Sequence, residues 1–83
     1  MDDKEWVIAE IPRNNANEVV RISLGTFKGR SILNIRTWYQ SRDGSWKPTR
    51  AGVTFPADAL PGITEALAGA ADRARANGLL SAD

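Results

Sequence analysis

At Pro56 the chain changes its period. Upstream, Val20, Ile22 and Leu24 alternate with Arg21 and Ser23, and Leu33, Ile35 and Thr37 alternate with Ile32, Asn34, Arg36 and Trp38. This is the period-two pattern of strands with two unlike faces. Downstream, from Pro56 to Asn77, β-branched residues thin out, alanine takes over, and Leu60, Ile63, Leu67, Ala70 and Ala74 recur at spacings of three and four. That spacing predicts one amphipathic helix. A chain written this way is α+β, strands first and a helix last.

Turn residues divide the upstream part. Gly25-Thr26-Phe27-Lys28-Gly29 brackets a tight reversal, and the Asp43-Gly44 pair in Ser41-Arg42-Asp43-Gly44 marks a second hairpin. The crossing from Ser45 to Phe55 contains Pro48 and Gly52, which suggest an edge strand or a bulge; a break around Thr49 to Gly52 would split it into two short strands. Before Glu18, Trp6 to Ile11 alternates weakly, which reads as a short, loose lead-in strand, and stops at Pro12, followed by turn residues Arg13 to Asn17. Residues 1–17 are therefore expected as a short lead-in with Trp6 structural, 18–77 as a ββββα domain and 78–83 as a tail. Within the helix Asp58 is the expected N-cap, Pro61 falls in the first turn, Arg73 and Arg75 suit the C-terminal end, and Gly78 stops it. Ala66, Gly69, Ala70 and Ala71 let another backbone approach closely, either the chain's own sheet or a second helix.

At 83 residues, with 42 % hydrophobic and 25 % charged, this is one ordinary folded domain. A chain of that size buries only roughly 60 to 65 % of its unfolded surface by itself, so self-association is a natural supplement. Neither cysteine nor histidine is present, which removes disulfides, thiolate nucleophiles, imidazole bases and the usual zinc ligand sets. Asp43, Asp58 and Glu65 show no spacing of a paired-carboxylate or metal site. The expectation is a protein that is not an enzyme, with no cofactor, metal or small-molecule substrate. No apolar stretch approaches 18 residues, so no membrane partner is expected and the location is read as cytoplasmic, nucleoid-associated in a bacterium.

Charge supplies the functional signal. Between Glu18 and Arg50 stand Arg21, Lys28, Arg30, Arg36, Arg42, Lys47 and Arg50 against Glu18 and Asp43, a net +5, while the rest of the chain is −4. Phe27, Trp38, Tyr39 and Trp46 lie in the same segment. Cations attract phosphates without regard to sequence, and flat rings stack on bases that a duplex hides, so the pattern points to single-stranded nucleic acid. In a regular strand Trp38 and Tyr39 point to opposite faces; Trp38 shares parity with Arg36 and is the better stacking candidate. The competing reading is a protein-interaction module that receives an acidic partner of the transcription machinery.

The ordered combination of Phe27-Lys28-Gly29-Arg30, Ile35-Arg36-Thr37-Trp38-Tyr39 and Lys47-Pro48-Thr49-Arg50-Ala51-Gly52 resembles the positive cofactor 4 family of transcriptional coactivators, in its shorter bacterial form. The resemblance covers about Glu18 to Arg73. It implies a curved four-stranded antiparallel sheet with one C-terminal helix, paired as a homodimer through Leu60, Ile63, Ala66, Leu67 and Ala70. It also implies single-stranded DNA as partner, with RNA or melted duplex as variants. The residues it assigns to nucleic acid are Phe27, Lys28, Arg30, Arg36, Trp38, Tyr39, Lys47 and Arg50; Arg21, Asn34 and Trp46 join them from the charge, parity and ring pattern. Ala51 departs from the family, where a second basic residue often precedes the glycine, and the serine-rich acidic region of eukaryotic members has no counterpart.

Overall fold

The structure, a computed structural model, describes residues 4–13 and 17–80. The centre of the expected asparagine turn, 14–16, and both chain ends, 1–3 and 81–83, lie outside the described residues. Four strands, β1 (Lys4–Pro12), β2 (Glu18–Phe27), β3 (Arg30–Gln40) and β4 (Trp46–Pro56), form one antiparallel sheet in the order β1-β2-β3-β4. A 3-10 turn, Ala57–Ala59, leads into α1 (Leu60–Ala76). This is the expected α+β architecture, with two corrections. The lead-in is a full edge strand paired along the length of β2, and the crossing from Trp46 to Pro56 is a single strand. The fourth strand thus comes from the N-terminus and not from a break in β4. Hydrogen bonding to β2 overrides the weak alternation of β1.

Each strand pair is set by its turn. Lys28 and Gly29 take φ of 52° and 78°, the two positive values of a tight two-residue hairpin, with Phe27 and Arg30 paired across it. Lys28 has a β-carbon, and holding it there costs about 1 kcal/mol. The β3 to β4 loop runs through Ser41–Ser45, with Gly44 at φ 89° and the Ser41 amide donating to the Ser45 carbonyl at 2.8 Å. Asp43 organises this loop: it accepts from the Ser41 hydroxyl, from the Ser45 hydroxyl at 2.7 Å and from the Ser45 amide at 2.9 Å. These donors, the Ser41 hydroxyl foremost, lower its pKa to about 2. The sign follows: a depressed carboxylate contributes order above its unfolded value of 3.8 and loses it as pH falls through about 2. An NMR titration should place the Asp43 midpoint near 2, with exchange of the Ser45 amide rising below it; a midpoint near 4 would mean that the loop is not tied by this side chain.

In β4 the expected break is a bulge. Thr49, Arg50 and Ala51 stand opposite Thr37, between the Arg36–Gly52 and Trp38–Pro48 pairs. Side chains satisfy it: the Thr49 hydroxyl donates to the Thr37 carbonyl at 2.9 Å and accepts from the Ala51 amide at 3.1 Å, while Arg36 Nη1 donates to the Thr49 carbonyl at 2.9 Å. Gly52 is needed because a β-carbon there would lie 2.8 Å from the Ile35 carbonyl oxygen and 2.9 Å from Arg36 Cα. The Pro-Thr-Arg-Ala-Gly run is therefore the covalent form of one bulge.

The helix begins without a side-chain cap; Ala59, not Asp58, occupies the N-cap, because Asp58 is taken into the preceding 3-10 turn. Its end is tightly closed: Gly78, at φ 69°, donates to the Arg75 carbonyl at 3.2 Å and Leu79 to the Ala74 carbonyl at 2.8 Å, a double C-terminal cap around a glycine. Very little of the molecule is interior. Leu33, at 2 % exposure, is the buried apolar residue among those described, and α1 contains no buried residue. The radius of gyration is 15.0 Å, against about 12 Å for a compact domain of this length. The described chain is a slab with large apolar side chains, Trp6, Ile8, Ile11, Val53 and Leu67 among them, left in the open.

Candidate nucleic-acid interface

Residues directly opposite in register share a face. On that basis one face, the polar face, carries Arg21, Ser23 and Phe27 from β2, Arg30, Ile32, Asn34, Arg36 and Trp38 from β3, and Trp46, Pro48 and Thr54 from β4. The other, apolar face carries Val20, Ile22 and Leu24, then Leu33, Ile35, Thr37 and Tyr39, then Lys47, Val53 and Phe55. Seven of the eleven sequence-derived nucleic-acid candidates, Arg21, Phe27, Arg30, Asn34, Arg36, Trp38 and Trp46, thus converge on one side. Lys28 stands at the hairpin tip and Arg50 is exposed in the β4 bulge. Tyr39 and Lys47 do not join them: they are paired with each other on the apolar face, both exposed.

The cations differ in what already holds them. Arg21 lies between two partners, its Nε and Nη2 both 2.8 Å from Glu10 Oε2 and its guanidinium carbon 3.8 Å from the centre of the Trp38 ring. At 17 % side-chain exposure its charge is neutralised inside the sheet, and it occupies one side of the Trp38 ring. Arg36 spends one nitrogen on the bulge carbonyl. Among the described residues Lys28, Arg30, Lys47 and Arg50 make no ion pair, and Lys28 Nζ sits 5.3 Å from the centre of the Phe27 ring, which is 50 % exposed. The open cation and ring groups are therefore concentrated at the β2 to β3 hairpin and along β4.

β1 brings residues to this face that the alternation pattern does not announce. Its register slips between Val7 and Ala9, so Glu5 and Glu10, five apart, both reach the polar face opposite Gly25 and Arg21. Glu5 Oε2 accepts from the buried Ser23 hydroxyl at 2.8 Å. On the apolar face Arg13 donates from Nη1 to the buried Thr37 hydroxyl at 3.2 Å and lies 3.6 Å from Glu18. Trp6, paired with Leu24, lines a recess with Ala57 and Leu60, which joins the helix start to the sheet. Among the described residues no helix is long and apolar enough to cross a membrane, and no group of His, Cys, Asp and Glu is arranged to hold a metal.

A four-stranded antiparallel sheet with a basic, ring-bearing face and a single trailing helix places the chain among small α+β proteins of ββββα order. Residues 14–66 match the family model described as Transcriptional Coactivator p15 (PC4). The chain belongs to this family of DNA-binding, coactivator-type proteins. Among solved structures it is similar to BPSL1147, a PC4 homolog from Burkholderia pseudomallei K96243, at 28 % identity and a TM-score of 0.72 in the tetragonal crystal form, over 82 % of this chain and 98 % of that one. The orthorhombic form of the same protein gives 28 % identity and 0.72 over 86 % and 95 %. The bacteriophage T5 homolog of the eukaryotic coactivator PC4, implicated in recombination-dependent DNA replication, shares the fold at 23 % identity and a TM-score of 0.54, over 99 % of this chain and 100 % of that one. No curated protein matches significantly.

Proposed function

We propose that this protein binds single-stranded DNA on its polar face, largely without sequence preference, in support of transcription or DNA maintenance, and that it does so as a homodimer paired through α1. The carrying observation is the register that sets Phe27, Arg30, Arg36 and Trp46 on one face, beside exposed Lys28 and Arg50. Cations hold the phosphate chain, and the rings accept bases only where these are unpaired. Trp38, backed by Arg21, offers its remaining side; Asn34 adds an amide between Ser23 and Thr54. Tyr39 and Lys47 form a separate ring and cation pair on the apolar face, at the far end of the sheet from the hairpin, where a strand leaving the polar face would meet them. The dimer reading rests on α1, whose Leu60, Ile63, Ala66, Leu67 and Ala70 lack a buried position within one chain. Two copies then hold two segments of one strand, or the two strands of an opened duplex.

Fluorescence anisotropy tests the binding. A labelled single strand of about 20 bases is expected to bind at least about tenfold more tightly than the matching duplex, since each stacked base contributes roughly 1 to 3 kcal/mol that a duplex withholds. Equal affinity for both would remove stacking from the mechanism. Binding of acidic protein with no binding of either nucleic acid would favour the protein-interaction reading.

A further inference from the structure

On the polar face, where β1 runs beside β2, lies an open recess of about 200 Å³. That is room for one flat heterocycle and less than a drug-sized ligand needs. Its walls are chemically mixed: the Phe27 ring and Ile32 supply apolar surface, Glu5 a carboxylate, Asn34 an amide, and Gly25 a stretch of bare backbone. The Glu5 carboxylate is held in place by the buried Ser23 hydroxyl through Oε2, and among the described residues no donor is bonded to its Oε1. A carboxylate is an odd occupant of a face that attracts phosphate, because it repels the backbone of any nucleic acid laid across it. It becomes useful only toward a base edge rich in N–H donors. Guanine presents two adjacent donors, N1–H and the N2 amino group, to a single carboxylate; cytosine and adenine present an amino group beside an acceptor, and thymine one N–H between two carbonyls.

We propose that this recess is a nucleobase subsite selective for guanine, in which Phe27 stacks on the base, Glu5 accepts from its Watson–Crick edge and Asn34 meets its remaining polar atoms. The inference rests on the single-strand reading above and adds to it one position at which sequence is read. Lys28, close over Phe27 at the rim, and Arg30 beside it place cations where the flanking phosphates would run.

The test compares fluorescence anisotropy of thymidine 20-mers that carry, at one central position, thymine, guanine or hypoxanthine, the last being guanine without its N2 amino group. Wild-type protein should bind the guanine strand roughly tenfold more tightly than the all-thymine strand, with hypoxanthine between them. Glu5→Gln, with a folded circular dichroism spectrum, should erase that preference while binding the all-thymine strand as well as or better than wild type. If all three strands bind wild-type protein equally well, the guanine subsite is overturned and single-strand binding stands. If the preference survives Glu5→Gln, the carboxylate does not read the base and the assignment fails. If no strand binds, both readings fall together. The ligand series needs no mutant, so it decides the matter even if the variant does not fold.

Discussion

Leu67→Glu is expected to turn the protein into a monomer and to weaken its hold on a 20-base single strand by about a hundredfold. Leu67 is 60 % exposed, on a helix with no buried residue. It stands one turn from Ile63 and from the small residues Ala70 and Ala71, so a second helix can approach closely at this point. Burying a leucine contributes roughly 1.5–3 kcal/mol, and a symmetric contact counts it twice. Two glutamates there would instead oppose like charges in a desolvated seam. The loss of DNA affinity follows from geometry: a strand that touches both sheets gains through effective concentration, a factor of about 10² to 10⁴ without any new kind of contact. Sedimentation velocity and anisotropy on the same samples check both halves. A variant that stays dimeric removes α1 as the contact; a monomer with full affinity means that the two sheets do not share a strand.

The second large effect is structural. Gly25→Ala should lower folding stability by about 1–3 kcal/mol, because an added β-carbon overlaps the Lys4 carbonyl oxygen and crowds Glu5 Cα, backbone atoms that cannot swing aside. The strand that must move is β1, and with it go the acceptor of the buried Ser23 hydroxyl and the carboxylate that neutralises Arg21. Denaturant titration followed by tryptophan fluorescence measures the loss. A change under about 0.5 kcal/mol would show that β1 yields easily, a result typical of surface substitutions.

The sheet's two faces were legible because β2 and β3 keep strict alternation through ten consecutive register pairs, so parity alone sorts Arg36 from Ile35 and Trp38 from Tyr39. The hairpins were legible from their glycines. Three things were not. The alternation of β1 is broken by its own bulge, which made a nine-residue edge strand read as only a short, loose lead-in strand. The β4 bulge was hinted at by Pro48 and Gly52, but the hydroxyl and guanidinium that satisfy it, from Thr49 and Arg36, turn on contacts that a sequence does not rank. Counting cations also treats Arg21 and Arg30 alike, although one is clasped by Glu10 and Trp38 and the other makes no ion pair among the described residues. For Arg21 the partners that close it lie eleven and seventeen residues away.

The slip at Ile8 has an evolutionary corollary. Removing one residue there would restore a plain pleat with every other β1–β2 pair kept, leaving Glu5 and Glu10 four apart and still on the same side of the slab. A single codon deletion would then leave the electrostatic potential of the cationic side, and the chemistry of the groove beside Phe27, nearly unchanged: the bulge is a place where this strand tolerates a change of length.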